Sequence, residues 1–481
     1  MLLETPPAPP RGAPPHRRRG LGWALGGAAA TTAVVATGVL SPLLPLALLA
    51  AVALLLVAAF RPKTLVVLVL VAVVLSTPIE NVLGLGSATD EAGIALAAVA
   101  LCTRRLVTEG RLVWLPGAGW FAGYLVLGLV SAAAAGVPAG TAVPAAFIAV
   151  KGVVLALALA QVRWTRDDLV VLVRLGLVAT VLVAVSGLLN VLAPYAWAQL
   201  TTGRPPITFV GPIPAVNGLF QHPAAFSRFA GVLAVGALVY GLVVRRSTAN
   251  TVVVLLTGGL SFLTLQVKSI VGLLATLAVL GVRHLRPAGV AATVCLAPLA
   301  LLFVVPPLVA LVGGDLALYA GQDSARSLLL AGGVTVAWRY FPLGAGFGRY
   351  GSATAAEEYS PLYHALGFAD RYGLGPGPES GQFLNDTQWP AIWGEAGWFG
   401  AACFALGLAC MAASLLRRVS PGEDPLVRWL RIAGLGWLVL LLVESVAAPV
   451  FVSTPSFPFV FAAAGVAASF RSAARDRARA A

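Results

Sequence analysis

Apolar residues run along this chain in long blocks, broken by short clusters of charge, proline and polar residues rather than alternating at a strand period. A bilayer core of about 30 Å takes about 20 helical residues. Cutting at the breaks gives fourteen predicted spans, with cores at 20–40, 43–60, 64–82, 91–103, 117–136, 144–162, 168–193, 224–244, 248–266, 269–283, 288–312, 389–416, 429–449 and 454–470. Spans four, nine and ten are short or closely joined, so the count is 12–14. The pattern predicts an all-α polytopic integral membrane protein with about 14 transmembrane helices.

Polar length is spread unevenly between the blocks. Two segments stand out, one at about 195–223 and a much longer one from about Gly313 to Gln388. A loop well beyond 15 residues is usually functional or disordered. Trp338, Tyr340, Phe341, Tyr350, Tyr359, Tyr363, Phe368, Tyr372 and Phe383 predict an ordered one, and Ser327 to Tyr340 has the pattern of an amphipathic helix at the interface. The predicted organisation is a disordered tail (1–19), N-terminal spans (20–193), central spans (194–312), a large loop (313–388), C-terminal spans (389–470) and a second tail (471–481). The Pro-rich start leads through Arg17-Arg18-Arg19 into an apolar run long enough for a retained helix rather than a cleaved signal.

Composition agrees with the pattern. Of 481 residues, 59% are hydrophobic and 11% charged, with a mean hydropathy of +0.90; soluble domains carry roughly 25% charged residues. A chain of soluble domains and a disordered chain are both excluded. The net charge of +13 makes no basic face of the kind nucleic acid requires. Instead, 24 of the 32 Lys and Arg residues fall on one side of the predicted spans. By the positive-inside rule that side is the cytoplasm, with both termini there and the long loop outside the cytoplasmic membrane. Lys151, Arg204, Arg228, Lys268, Arg326, Arg339, Arg349 and Arg371 are the other eight, and topology gives no reason for them. Cys102, Cys295, Cys403 and Cys410 lie in or beside apolar stretches with no metal-ligand spacing, so they read as small hydrophobes, with neither disulfide nor zinc.

The candidate chemistry is cationic and acidic. Lys268 stands between two apolar runs, where a cation is functional by default; snorkelling to the headgroups is the other reading, for Lys151 and Arg228 as well. Arg326 opens the long loop, while Arg339, Arg349 and Arg371 read as a solvated face. Cations converging on the outer mouth of a bundle suit a diphosphate, donating charge-assisted hydrogen bonds and stabilising its developing charge as it leaves. Asp386 stands where the loop returns to the membrane. Its carboxylate could take a proton from an attacking hydroxyl, or cap the helix that begins near Pro390. Glu395 and Glu444 are intramembrane acids that could each pair with a neighbouring span. Gly344-Ala-Gly-Phe-Gly-Arg-Tyr-Gly follows no βαβ pattern and lacks the Lys-Ser/Thr of a P-loop. His222, His284 and His364 are too scattered for a metal site, and a serine-hydrolase elbow is missing.

Four stretches occur in a fixed order: Gly218-Leu-Phe-Gln-His-Pro223, Lys268-Ser269, Arg326 with Pro342-Leu-Gly344-Ala-Gly346-Phe-Gly, and Glu395-Ala-Gly397-Trp-Phe-Gly. Region 211–400 thereby resembles the O-antigen ligase and O-antigen polymerase superfamily of bacterial surface-polysaccharide assembly. The family's motifs read G-x-F-x-[HN]-P-N, Ser-Arg, R…P-x-x-G-x-G and E-x-G-x-x-G. Three positions depart from it. The family's His nine residues before the Glu is Asp386 here. Its Arg before G-x-F is missing, so Arg204 or Arg228 would stand in. Lys268 replaces an Arg, which keeps charge but loses bidentate geometry.

The resemblance implies an inverting, metal-independent glycosyltransferase without a cofactor, taking its glycan from a polyprenyl-diphosphate-linked oligosaccharide to an acceptor hydroxyl. It works at the outer face of the cytoplasmic membrane, among lipid and other polysaccharide-assembly proteins. Asp386 is then the catalytic residue, and Lys268, Arg326, Arg228 and Arg204 hold the diphosphate. The rival expectation is a polysaccharide or lipid-linked oligosaccharide flippase, which predicts pseudo-repeat halves and short loops; a non-catalytic scaffold is a third.

Overall fold

A computed structural model describes residues 53, 57–76, 79–80, 89–210, 213–264, 266–284 and 324–480. The chain divides into two units, Met1–Leu65 and Val66–Ala481. In chain order the elements are α1 (Pro62–Val74), α2 (Thr89–Glu109), α3 (Ala118–Ala134), α4 (Ala139–Ala160), α5 (Arg166–Leu192) and α6 (Pro194–Thr202). A small antiparallel ribbon follows, β1 (Thr208–Val210) with β2 (Ile213–Pro214). Then come α7 (Pro223–Val243), α8 (Thr248–Leu263), α9 (Val267–His284), α10 (Ala325–Arg339), α11 (Ala353–Glu357), α12 (Pro361–Ala365), α13 (Trp389–Leu416), α14 (Pro425–Glu444) and α15 (Phe457–Ala480).

Among the described residues, six helices are long and apolar enough to cross a membrane: α4, α5, α7, α13, α14 and residues Phe457–Arg479 of α15. Shorter apolar helices are α1, α3, α8 and Lys268–Leu280 within α9. Helix α5 shows which solvent they are built for. Its Leu177, Val178, Val181, Val185, Leu188 and Val191 are exposed, whereas Thr180, Ser186 and Asn190 are buried. Water would penalise so long an exposed apolar stripe, and lipid does not. The protein is therefore a multi-pass membrane protein. The expected spans at 20–40 and 288–312, most of 43–60, the 1–19 tail, residues 313–323 of the loop and Cys295 lie outside the described residues. Cys102, Cys403 and Cys410 are free thiols.

Helix starts follow local chemistry. Thr165 and Asp168 form a capping box on α5, Ser247 caps α8, Asp424 caps α14 ahead of Pro425, and Ser324 caps α10. One prediction shifts. The span expected at 429–449 ends at Glu444, and the next begins at Phe457. Between them, residues 445–456 are irregular although largely apolar, because Pro449 and Pro455 interrupt any helix. Their backbone is satisfied partly by local turns, Val452 N and Ser453 N donating to Pro449 O, and partly from other elements, Gln388 N donating to Ser445 O (3.1 Å) and Gln388 Oε1 accepting from Phe451 N (3.0 Å).

Several basic residues collect at one end of the bundle. There Arg105 donates to Gln161 O (3.0 Å), Arg163 pairs with Glu109 (2.8 Å), and Arg471 donates to Ser414 O (2.5 Å). Arg431 and Glu423 make two 2.7 Å bonds nearby. Arg431 holds the Glu423 carboxyl below its ordinary range, against burial, which acts to raise it.

Candidate functional site

The sequence between α10 and α13 folds around one acid. Tyr350 and Tyr363 are fully buried with Leu329, Phe368, Leu374 and Leu384 in a core of their own, which packs α10 and the two short helices together. Tyr350 Oη donates to Leu329 O (2.7 Å), and Gly351 N donates to Tyr363 Oη (2.9 Å). Burial holds both phenols well above their usual range, so they stay protonated. Glu395, 2% exposed, accepts three bonds on Oε1 alone: from Gly348 N (2.9 Å), Tyr350 N (3.2 Å) and Ser352 Oγ (2.6 Å). The glycine-rich loop thus closes on the protein's own Glu395 carboxyl. Expected pairing of Glu395 with a neighbouring span gives way to this cage.

The glycines of the two motifs meet for steric reasons. Gly397 breaks α13 with φ 67° and ψ −176°, a region open essentially to glycine. A Cβ there would lie 2.5 Å from Pro342 O and 2.8 Å from Gly344 N. Gly344 and Gly346 are left-handed as well, and a Cβ on Gly346 would lie 2.4 Å from Ala132 Cα in α3. Ala345 N and Gly346 N donate to Gly394 O and Glu395 O, each at 2.8 Å. The loop and the kinked helix are one interlocked unit.

A second constellation lies where α7, α9, α10, α14 and the start of α13 converge. Gly218, at φ 53°, turns the chain into α7 while Asn190 Oδ1 accepts from Asn217 N (2.8 Å) and Gly218 N (3.0 Å). Phe220, Phe226 and Phe229 anchor that turn in a buried cluster. His222 caps α7, its Nδ1 accepting from Ala224 N (3.1 Å), and Pro223 occupies the first helical position. One turn on, Arg228 Nε donates to Glu444 Oε2 (2.6 Å). Glu444 is completely buried and Arg228 is 5% exposed. Among the described residues the two terminal nitrogens of Arg228 have no protein partner.

Lys268 Nζ donates to Ala447 O (2.7 Å) in the irregular segment after α14. Arg326 reaches Asp386 Oδ2 through Nε (2.7 Å) and Nη2. Both bonds go to Oδ2, and the two side chains keep about a quarter of their surface open, 25% and 22%. Arg228, Lys268, Arg326 and Asp386 all lie near enough to His222 to act on it electrostatically. Protein packed around the ring and, next, the Lys268 ammonium push the His222 imidazolium down to about 4. The ring is neutral at pH 7, although the residue as a whole is exposed. Because Nδ1 is an acceptor, its proton sits on Nε2.

The structure therefore brings together four of the five residues expected to act on a diphosphate and its acceptor: Arg228, Lys268, Arg326 and Asp386. Arg204 stands apart on the exposed turn after α6, its backbone NH on Thr202 Oγ1 (3.2 Å). Asp386 does not cap α13; Gln388 holds that position, and the Asp386 carboxylate turns to Arg326. Lys151 has partners that the sequence reading missed, Asp90 Oδ2 (2.7 Å) and Glu91 Oε1. A signal for them existed: two acids adjoin the shortest predicted span. Glu444 as the partner of Arg228 had no local signal, since 216 residues separate the two. No protein-family model matches this chain, and no curated protein matches it.

Proposed function

We propose that this protein transfers a glycan from a polyprenyl-diphosphate donor to an acceptor hydroxyl at the outer face of the cytoplasmic membrane, as the O-antigen ligases and polymerases that it resembles do. One observation carries the reading. Three cations and an accessible carboxylate, widely separated in sequence, share one mouth, and the Arg228 fork there is oriented by a buried carboxylate but otherwise unengaged. Such a fork matches two phosphate oxygens. The Lys268 ammonium, with one of its three hydrogens on Ala447 O, adds a point charge.

In this mechanism the acceptor oxygen attacks the anomeric carbon while the bond from that carbon to the diphosphate oxygen breaks. The electron pair leaves with the diphosphate, whose charge Arg228 and Lys268 stabilise. The hydroxyl proton passes to Asp386 Oδ1, the oxygen that Arg326 leaves open. Attack opposite the leaving group inverts the anomeric centre.

The same reading sets the topology. The described helices cover eleven of the fourteen predicted spans, counting α2 and the shorter apolar helices, and the remaining three complete a 14-span protein. The end where Arg105, Arg163, Arg431 and Arg471 gather is the cytoplasmic one, and residues 340–388 stand outside.

Deleting the gene and locating lipid-linked oligosaccharide across the membrane tests the reading. Accumulation on the outer face with loss of surface glycan is the expected result, restored by wild type but not by Lys268→Ala or Asp386→Asn at equal membrane abundance. Accumulation on the inner face would make the protein a flippase.

A further inference from the structure

We propose that a slot lined by α1, α5, α7, α8, α14 and α15 holds one acyl chain of an anionic glycerophospholipid, whose phosphate rests on arginines at the basic end of the bundle. The slot has a volume of about 450 Å³. An apolar cavity of about 150 Å³ takes one benzene, so there is room for a chain on the order of eighteen carbons. Its walls are helix faces, with Leu172, Gly176 and Val183 of α5 and Phe229, Gly236 and Tyr240 of α7. From Phe229 to Tyr240 it runs about 16 Å along the helix. Trp429 and Trp437 line it as well, and their indole NH groups donate to Gly236 O and Val232 O, each at 2.8 Å. The indoles thus offer the slot apolar surface alone, and a long apolar slot suits a hydrocarbon chain rather than water.

Shape and charge fix the lipid and its direction. Toward His222 the slot is closed. Phe220 and Phe229 are buried there, and the Phe229 ring packs on Phe220 (5.4 Å between centroids) and on Phe459 (5.7 Å). A headgroup on the His222 side therefore has no opening through which to feed its chain. At the other end Ser247 and Ala249 are exposed and Tyr240 and Asn250 half-buried. Neither Tyr240 Oη nor the Asn250 side-chain amide has a partner among the described residues, so both are free for phosphate or ester oxygens. Arg174 of α5, Arg245 and Arg246 of the α7–α8 turn and Arg428 of α14 are exposed, next in sequence to the lining residues Val173, Ser247 and Trp429. Among the described residues none of these arginines is in an ion pair, and the acids at this end are engaged, Asp424 by Arg166 (3.3 Å) and Glu423 by Arg431 (2.7 Å). Unpaired cations around the open end of an apolar slot complement an anionic headgroup placed above its own chain. Exposed Val71 and Leu177 leave the side of the slot open to the bilayer, which is the route of entry. The site is separate from the Arg228 mouth and stands whether or not the protein transfers glycan.

Native mass spectrometry of the full chain, released from nanodiscs of phosphatidylglycerol and phosphatidylcholine in equal amounts, tests this. The wild type is expected to retain one lipid, mostly phosphatidylglycerol. Arg245→Gln combined with Arg246→Gln should lower that preference on the order of 25-fold, about fivefold for each arginine. Gly176→Phe should abolish retention of either lipid. Gly176 lines the slot and nothing lies within 4 Å of the position its Cβ would take, so the ring has space to enter. Gly259→Phe on α8, exposed and with equally open surroundings, is the control and should keep the lipid. The arginine pair is exposed and decides the matter should Gly176→Phe fail to fold. A wild type that retains no lipid, or both lipids equally, would overturn the proposal, as would retention unchanged by the arginine pair or by Gly176→Phe. So would a slot that takes added polyprenyl phosphate in preference to phosphatidylglycerol, since the occupant would then be a donor chain.

Discussion

At the residue scale, Glu444 decides what Arg228 can do. An arginine on an apolar helix normally seeks the headgroups, yet this one is nearly inaccessible and fixed through Nε, with Glu444 at zero exposure. Removing one partner of such a buried pair leaves an uncompensated charge and costs about 3–5 kcal/mol. Glu444→Ala should therefore lower the thermal midpoint sharply and weaken inorganic pyrophosphate binding. Glu444→Gln keeps an acceptor for Nε and should fall between the two; equal stability of all three would mean that the pair does not form. His222 makes a contrasting prediction. Its imidazole, held down at about 4, charges only near and below that pH, so His222→Gln should leave the shape of the pH profile of pyrophosphate binding between pH 5 and 8 unchanged, the ligand's own ionisation being common to both proteins. A step there that His222→Gln removes would contradict the surroundings assigned to the ring.

At the element scale, the interlocking of α13 with the glycine loop explains why the two motifs occur together. Gly397 has a backbone conformation that other residues cannot hold, and its missing Cβ makes room for Pro342 O. Gly397→Ala should destabilise by on the order of 3 kcal/mol, combining backbone strain with the clash, and should open residues 342–352 to protease. Gly258→Ala in α8 is the control. Nothing lies within 4 Å of its Cβ position, and helix propensity predicts a gain of roughly 0.5–1 kcal/mol. Equal midpoints for the two variants would rule out the interlock. Elements of this kind were partly legible in the sequence. The bounds expected for α13, 389–416, are those observed, and α5 and α7 differ from expectation by one or two residues, because charge and proline mark both ends of each. The α14–α15 junction was not legible, since hydropathy rates Val446 to Phe457 as membrane-soluble whether or not it is helical. What makes it irregular is proline, and what permits this is hydrogen bonding from Lys268 and Gln388, both remote in sequence. Likewise the cations could be picked out as misplaced, but their carboxylate partners emerge only from packing.

At the scale of the whole molecule, charge and aromatic distribution agree on where the bilayer lies. Trp338, Phe341 and Phe399 are 62%, 54% and 56% exposed and form a connected patch with Trp398 beside the Gly397 kink. Exposed aromatics in a band are what a membrane–water interface selects. The basic helix ends gather at the opposite end of α13, where Arg471 meets Ser414 O. These two markers put the mouth of Arg228, Lys268, Arg326 and Asp386 on the side away from the basic residues, as the proposed chemistry requires. Single cysteines introduced after replacement of Cys102, Cys295, Cys403 and Cys410 provide the check. Glu379 is exposed in the segment between α12 and α13, and Gly422 sits in the open turn between α13 and α14. A membrane-impermeant maleimide should label Glu379→Cys on intact spheroplasts and reach Gly422→Cys only after permeabilisation. The opposite pattern would invert the topology and place the mouth in the cytoplasm, where a donor awaiting transfer at the outer face could not meet it. Asp386 could then not serve as the base for that transfer, however well its geometry suits the role.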